Sequence, residues 1–161
     1  LLHSAVEAWT QAGWTGSENL PVVLGTTSGG MTLGEAFFRQ AISTPAAQRG
    51  QAVRVVNYQA QQQALTLADA LGFRGPATLI ANACASGANA VGHAFELVRW
   101  GHAPRVLAGG YDALSHLVFS GFDSLQALSP TTCRPFDARR DGLALGEGAA
   151  VGLRGEELLD A

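Results

Sequence analysis

Apolar residues along this chain occur in two alternating patterns, short continuous runs and longer stretches with helical spacing. The continuous runs are bounded by glycine, proline or polar loop residues, which is typical of buried strands. They predict four strands, at Pro21–Gly25, Ala77–Ala83, Pro104–Gly110 and Gly148–Leu153.

Helical spacing predicts a helix before the first strand and further helices in the connections. Gly13 and Gly72 each follow such a pattern, where a left-handed residue commonly ends a helix. The segment Gln48–Asn57 fits neither pattern, and its structure stays open. The predicted helices are Leu2–Ala12, Leu33–Ile42, Tyr58–Leu71, a segment with apolar positions at Ala88, Val91, Phe95 and Val98, and Ser115–Leu125.

Strands that alternate with helices indicate an α/β layered domain with a mostly parallel sheet and helices on both faces. The right-handed crossovers of such a domain place the carboxyl ends of its strands at one edge. We therefore expect candidate functional residues to lie where the strands end.

One cysteine, Cys84, lies where the second predicted strand gives way to a helix. The unpaired N–H groups of a helix start carry partial positive charge, which favours a thiolate over a thiol. The neighbours Ala83, Ala85, Ser86 and Gly87 are small and leave room for a substrate carbonyl to approach the sulfur. Cys84 is therefore a candidate nucleophile. A free cysteine is also often a small buried apolar residue, so position alone does not decide between the two roles.

A thiolate nucleophile usually needs a base or an orienting partner, and no histidine of this chain fits that role. His93 follows Cys84 on the same predicted helix, but it projects from the opposite face, about 13 Å further along. His3 and His102 are predicted to be exposed, and nothing in the sequence indicates that His116 acts as the base.

Two further segments could be taken for functional sites, one for phosphate binding and one for catalysis, but both have simpler structural explanations. The glycines of Thr26–Gly30 lack both spacings that cradle phosphate, so close backbone packing explains them better. The charged residues between Arg134 and Glu147 predict a loop held by ion pairs. Cys133 lies beside this stretch in a polar loop, and we interpret it as a spectator. No CxxC, HxH or HExxH spacing supports a metal site.

Composition and charge narrow the class of protein. Charged residues make up 14% of the 161 residues, against roughly 25% on average, so much of the surface must be hidden in a core or an interface. All ten basic residues are arginine and the net charge is −3, which argues against a nucleic-acid partner. No apolar run approaches the ~18 residues of a membrane span. Two cysteines without a disulfide pattern favour a reducing, cytoplasmic setting.

Five segments of the chain resemble the β-ketoacyl-[acyl carrier protein] synthases, the condensing enzymes of fatty-acid and polyketide synthesis. They occur in the family's order, and the resemblance covers essentially the whole chain. The run RPFD…RDG…GEGA separates this branch from ordinary thiolases. The segments are GTTSGGM (Gly25–Met31), NACASGANAVGHA (Asn82–Ala94), VLAGGYDALS (Val106–Ser115), GFDSLQALSP (Gly121–Pro130) and RPFDARRDGLALGEGAA (Arg134–Ala150).

The resemblance implies a thiolase-type fold of two related α/β halves in five layers. This chain, residues 1–161, would be most of the N-terminal half and incomplete at both ends. Cys84 would be the nucleophile that accepts an acyl chain from an acyl carrier protein, with its backbone N–H as one oxyanion-hole donor. Malonyl on a second carrier would be decarboxylated and condensed with that chain, giving a 3-oxoacyl thioester. Phe122 lies in a segment that lines the acyl pocket region of relatives.

The resemblance also implies a dimer, either of two copies or with a related subunit, in which the strand before the nucleophile, Ala77–Ala83, pairs across the two-fold axis. No cofactor is implied beyond the phosphopantetheine of the carrier protein. The family's two catalytic histidines and its lysine lie in the C-terminal half. The family's first strand, normally central to the sheet, would lie ahead of Leu1. We therefore expect this piece alone neither to condense substrates, without those residues, nor to fold robustly, without that strand.

Two other functions stay open. The chain could belong to a non-catalytic partner subunit of the chain-length-factor type, although such subunits usually lack the cysteine. It could also belong to a thiolase that uses coenzyme A. The acyl chain length and the pathway, whether fatty acid, polyketide or aryl polyene, stay open as well.

Overall fold

A computed structural model describes residues 1–14, 19–46 and 50–155 of the protein. Four strands and six α-helices alternate along this part of the chain, and a short 3₁₀ turn, Ala83–Ala85, precedes the fifth helix. In chain order they are α1 (Leu2–Ala12), β1 (Val22–Gly25), α2 (Met31–Ser43), α3 (Gln51–Tyr58), α4 (Gln61–Leu71), β2 (Ala77–Ile80), α5 (Ser86–Arg99), β3 (Arg105–Asp112), α6 (His116–Ser124) and β4 (Gly148–Gly155).

The four strands form one sheet in the order β2-β1-β3-β4. β1 pairs in parallel with β2 and β3, whereas β4 is antiparallel to β3. Gly25, the last residue of β1, lies opposite Ile80 on one side and Gly110 on the other. The ends of the parallel strands therefore meet at one edge, which confirms the predicted mostly parallel α/β arrangement.

Helices cover both faces of the sheet, as predicted, and β1 contributes to both cores. Val22 and Leu24 face α1 and α4, while Val23 faces α5, because successive side chains of a strand point to opposite faces. Full burial of each such residue contributes about 1.5–3 kcal/mol to stability. The first core also contains Ala5, Leu20, Ala64, Leu67, Ala68, Phe73 and Leu107, and the second Ala90, Ala94, Val98, Ala103, Val106 and Ala108.

The apolar residues that give α5 its helical spacing are mostly not its buried ones. Its buried residues are Ser86, Ala90, Ala94 and Val98, whereas Ala88 is exposed, Phe95 is half-buried and Val91 is 56% exposed. Small side chains on the buried face let the helix axis come close to the sheet. Of the four apolar positions with helical spacing, only Val98 is in the core. The larger apolar residues instead line an open groove beside β3 and β4.

Other boundaries differ more modestly from the sequence predictions. The open segment forms α3 from Gln51, while Gln48 lies outside the described residues. The helix predicted from Tyr58 begins only at Gln61, because Tyr58 ends α3. β2 ends at Ile80 rather than Ala83, and it is a half-exposed edge strand within this chain. Gly13 and Gly72 end their helices with φ of 63° and 73°, as predicted.

The glycines of the loop after β1 are explained by close packing, as predicted. A Cβ added at Gly30 would lie 2.2 Å from the backbone oxygen of Asn57, so the loop rests directly on the end of α3. Among the described residues, no helix has both the length and the apolar composition needed to cross a membrane.

Candidate active site

Cys84 lies in the 3₁₀ turn between β2 and α5, and its side chain is exposed. The chain turns sharply just before it, because Ala83 has a φ of 63°, a left-handed conformation that is uncommon for alanine. Ser86 holds this turn. Its hydroxyl donates to the Ala83 carbonyl at 2.6 Å and accepts the Asn82 N–H at 2.9 Å. The thiol is therefore presented on a turn whose backbone is fixed from beneath by a buried serine.

The start of α5 rests directly on the end of β1. A Cβ added at Gly25 would lie 2.2 Å from the backbone oxygen of Ser86 and 2.5 Å from the nitrogen of Gly87. No side chain fits between these two backbone segments. This contact sets the height of the Cys84 turn above the sheet edge, at the place where the strand ends were predicted to gather.

Two cavities meet at Cys84. The first, about 520 Å³, is lined mainly by glycines and small residues from the ends of β1 and β3 and the start of β4. The second, about 280 Å³, has apolar walls that include Leu114, Val118 and Leu145. Cys84 and Asp112 line both cavities, as does Thr27. The exposed Cys84 thus borders two spaces, one walled largely by small residues and one by larger apolar side chains.

Phe122, the second residue singled out from the sequence, lies on α6 and lines the smaller cavity together with Cys84. The structure therefore brings these two residues to one cavity although they are far apart in sequence. Val118, one turn before Phe122, lines the same wall. Whether Phe122 contacts a substrate stays a prediction.

Two carboxylates and one hydroxyl hold the segment that carries this wall. Ser115 caps α6 by accepting the Val118 N–H at 3.2 Å. Glu35, on α2, accepts the Leu117 N–H at 2.7 Å, and this bond is the main reason that the pKa of Glu35 lies below its usual range. Glu147 accepts the Leu114 N–H at 3.2 Å. The position of α6 is thus fixed by polar contacts at its first turn.

Asp112, the last residue of β3, is a site residue that the sequence reasoning missed. Its Oδ1 accepts hydrogen bonds from the Thr26 hydroxyl and the Thr27 N–H, both at 2.9 Å, and from the N–H and hydroxyl of Ser28 at 3.0 and 3.3 Å. Burial by itself raises the pKa of Asp112, but these bonds outweigh it and hold the pKa below its usual range. A carboxylate directly after a buried strand, inside the segment VLAGGYDALS, was the available signal.

Tyr111, next to Asp112, lines the larger cavity and points its hydroxyl to the start of α4. The hydroxyl lies 3.1 Å from the Ala60 carbonyl and 3.2 Å from Oε1 of Gln63. Burial raises the pKa of Tyr111 to about 12, so the phenol stays neutral at physiological pH and donates. It ties β3 to α4 behind the site.

No histidine is among the described residues that line either cavity. His93 is half-buried on α5, and His116 begins α6 with its ring 3.3 Å from the Ser120 hydroxyl. That none of them serves Cys84 as a base stays a prediction.

The charged stretch after Ser129 forms an exposed loop held by polar contacts, as predicted. Asp141 accepts hydrogen bonds from Ser129 at 2.6 Å and Thr131 at 3.0 Å, and it forms an ion pair with Arg134 at 3.1 Å. The bonds from the two hydroxyls, more than the arginine, hold the pKa of Asp141 below its usual range. Cys133 is also exposed in this loop but is not among the residues that line the two cavities.

The fold and the site together define a thiolase-like α/β protein that presents an exposed cysteine at a strand-to-helix turn. Residues 1–157 match the family model described as β-ketoacyl synthase, N-terminal domain, and the chain belongs to that family.

Individual relatives agree with this assignment. The chain is 35% identical to nodulation protein E of Rhizobium meliloti over 155 residues, which are 93% of this chain and 38% of that protein. It is 41% identical to 3-oxoacyl-[acyl-carrier-protein] synthase 2 of Staphylococcus aureus over 87 residues, which are 50% of this chain and 22% of that protein. The solved structure of the ishigamide ketosynthase/chain length factor superposes with a TM-score of 0.85 at 30% identity, covering 96% of this chain and 40% of that one.

The chain therefore spans well under half the length of the relatives that it matches.

Proposed function

We propose that this chain is the nucleophile-bearing half of a β-ketoacyl-[acyl carrier protein] synthase. The reaction is a decarboxylative Claisen condensation of an acyl thioester with malonyl-[acyl carrier protein], which yields a 3-oxoacyl-[acyl carrier protein]. The observation that carries the proposal is the placement of Cys84, exposed on a fixed strand-to-helix turn where two cavities meet. Membership of the β-ketoacyl synthase family supports it.

The first half-reaction transfers the acyl chain to the cysteine. The Cys84 thiolate attacks the thioester carbonyl, and the carbonyl oxygen gains negative charge in the tetrahedral intermediate. The intermediate collapses, the carbonyl re-forms and the phosphopantetheine thiolate leaves on the carrier protein. N–H groups at the start of a helix are not used in its internal bonds. The Cys84 N–H is therefore a suitable donor to the developing oxyanion.

The second half-reaction forms the carbon–carbon bond. Malonyl-[acyl carrier protein] loses CO₂, and the electron pair of the broken bond remains on the α-carbon. This carbanion attacks the acyl-cysteine carbonyl, after which the Cys84 thiolate leaves and the thiol is regenerated by a proton. The resemblance assigns the residues that assist decarboxylation to the other half of such enzymes. Among the described residues, none that lines the two cavities is a histidine or lysine.

The smaller cavity is the proposed site for the start of the acyl chain. Its walls, from Val118, Phe122 and Leu145, are apolar, and Cys84 lies at its border. Burying methylene groups against such a surface contributes about 0.8 kcal/mol each. We assign Phe122 to substrate binding on this basis. The larger cavity, lined mainly by backbone and small residues, is the side from which the thioester arm approaches.

The proposed partners are an acyl carrier protein and a second ketosynthase-type subunit. β2 lies at an edge of the sheet, and exposed edge strands readily pair with another chain. A structural relative is a ketosynthase/chain length factor, which supports pairing through a homodimer or a related subunit. The acyl group travels on the phosphopantetheine of the carrier protein, and we propose no other cofactor. The proposed location is the cytoplasm, which this chemistry and the two free cysteines support.

Two alternatives make different predictions. A non-catalytic partner subunit binds the growing chain without forming an acyl-enzyme, and the accessible position of Cys84 argues against it. A thiolase would accept the acyl group from coenzyme A rather than from a carrier protein.

The test uses the full-length protein, which is incubated with acyl-[acyl carrier protein] and then with malonyl-[acyl carrier protein]. Intact mass and peptide mapping locate the acyl group, and product analysis detects the 3-oxoacyl thioester. We expect acylation of Cys84 in the wild type and in Cys133→Ser, but none in Cys84→Ala. Acylation at Cys133 with Cys84 unmodified would contradict the proposal. Parallel reactions with acyl-coenzyme A separate the thiolase, since that enzyme would prefer this donor.

A further inference from the structure

The loop after β1, Thr26–Ser28, contributes to the lining of both cavities at Cys84. Thr27 lines both cavities, and Ser28 lines the smaller one. The loop is held at two points. The Thr26 N–H donates to the Ile80 carbonyl at the end of β2 at 3.1 Å, and four hydrogen bonds from the loop reach Asp112 at the end of β3. Both neighbouring strands therefore fix this wall.

The Asp112 end of this arrangement depends on a single oxygen atom. All four hydrogen bonds converge on Oδ1, and the Thr26 hydroxyl that donates one of them also accepts the Gly29 N–H at 2.9 Å. Hydrogen bonds to an ionised acceptor are roughly twice as strong as those between neutral groups. An uncharged acceptor of the same shape would therefore hold the loop much less firmly.

We propose that Asp112 is a positioning residue of the Cys84 site. Its carboxylate fixes Thr26–Ser28 as the partition between the two cavities, and the partition directs the acyl chain into the smaller cavity while the sulfur attacks. The inference rests on the proposed transfer of an acyl group to Cys84. Asp112 acts through the loop, and no proton transfer is assigned to it.

This role predicts that Asp112 governs acyl transfer but not simple access to the sulfur. Iodoacetamide is small and needs only an exposed thiol, whereas an acyl thioester must place its chain on one side of the partition. For full-length Asp112→Asn and Asp112→Ala, we expect iodoacetamide to alkylate Cys84 within twofold of the wild-type rate. Acylation by long-chain acyl-[acyl carrier protein] should slow at least tenfold, and acylation by an acetyl donor should slow less.

The measurements are the rates of Cys84 alkylation and acylation by intact mass, with the unfolding midpoint of each variant. Asp69→Asn, which changes an exposed carboxylate on α4, is the matched control and should behave as the wild type. Equal slowing of alkylation and of all acylations, together with a lowered midpoint, would show a merely structural role and overturn the inference. Unchanged acylation in both Asp112 variants would overturn it as well.

A second variant tests whether Asp112 acts through the loop. Thr26→Val removes one donor to Asp112 and the acceptor of the Gly29 N–H. If both residues act on the same partition, the combined variant Thr26→Val/Asp112→Asn should be no slower than about twice the worse single variant. If the fold-slowing of acylation in the double variant equals the product of the two single-variant effects, the inference is contradicted. Because this comparison needs Asp112→Asn but not Asp112→Ala, it still tests the inference if Asp112→Ala does not fold.

The outcomes also separate this inference from the proposed function. A wild-type protein that accepts no acyl group on Cys84 would refute the proposed function. Wild-type acylation with unaffected Asp112 variants would refute only the role of Asp112.

Discussion

The surroundings of the two cysteines differ, although both thiols are free and exposed. Cys84 stands on a turn whose backbone is fixed by Ser86 and by direct contact with Gly25, and two cavities open beside it. Cys133 stands in a loop held by exposed side chains around Asp141, away from both cavities. Exposure alone therefore does not mark a nucleophile.

The two regions also differ in what holds them. The Cys84 turn is held by backbone-to-backbone contact and by hydrogen bonds to Ser86, whose side chain is buried. The loop around Cys133 is held by ion pairs and hydroxyl bonds at the surface, where solvent competes and each contact contributes little. A reacting atom must be held in position within a fraction of an ångström. The backbone contacts of the Cys84 turn meet that need better than the surface contacts of the Cys133 loop.

The largest expected difference is in activity. Cys84→Ala in the full-length protein should lower condensation by at least about 1000-fold, because the covalent intermediate cannot form. Cys133→Ala should leave the rate within about twofold, since surface changes away from a site have small effects. Steady-state rates of 3-oxoacyl-[acyl carrier protein] formation measure both. Comparable losses in the two variants would remove the distinction between the two regions.

A second difference concerns packing beneath the turn. Gly25→Ala should destabilise the protein by about 3 kcal/mol and lower activity, because the added methyl meets the backbone of Ser86. Gly92→Ala, on α5 with open space around it, should stabilise by about 0.5–1 kcal/mol, because alanine favours helix over glycine. Urea unfolding of the full-length variants compares the two. A Gly25→Ala protein of wild-type stability would show that the contact can relax.

A matched pair of serines gives a smaller effect. Ser86→Ala should cost about 1–2 kcal/mol, since it leaves the Asn82 N–H and the Ala83 carbonyl without their buried partner. Ser129→Ala removes the contacts of this hydroxyl with Asp141, the Thr132 carbonyl and the Thr131 N–H. These groups are exposed and water can satisfy them, so the cost should be at most about 0.5 kcal/mol. Thermal or urea unfolding checks the order, and the reverse order would refute the account of what holds each region.

Much of this arrangement followed from local sequence patterns. The strands, the helix ends at Gly13 and Gly72 and the placement of Cys84 at a strand-to-helix turn each depend on a few consecutive residues. Local patterns could not give the buried face of α5. Periodicity selects large apolar side chains such as Val91, whereas close approach of Ser86 and Gly87 to Gly25 selects small ones. Local patterns also could not predict the role of Asp112, because its partner Ser28 is 84 residues away in sequence.

The smallest expected difference is in the response to acid. The pKa values of Asp112 and Asp141 both lie below the usual range. Each carboxylate therefore stabilises the fold when the pH is above its unfolded-state pKa of about 3.9. This stabilisation is lost as the pH falls through the lower pKa of the folded state. Asp112 is partly buried at the sheet edge, whereas Asp141 is exposed and its contribution is weakened by solvent.

Urea midpoints of the full-length protein measured from pH 6 down to pH 3 should therefore fall less steeply in Asp112→Asn than in the wild type. Asp141→Asn should reduce the pH dependence of the urea midpoint less than Asp112→Asn does. Equal flattening by the two variants would mean that burial at the sheet edge adds nothing to the Asp112 interaction. Greater flattening by Asp141→Asn would reverse the order of the two regions, since the surface loop would then depend more on its charge than the turn that holds Cys84.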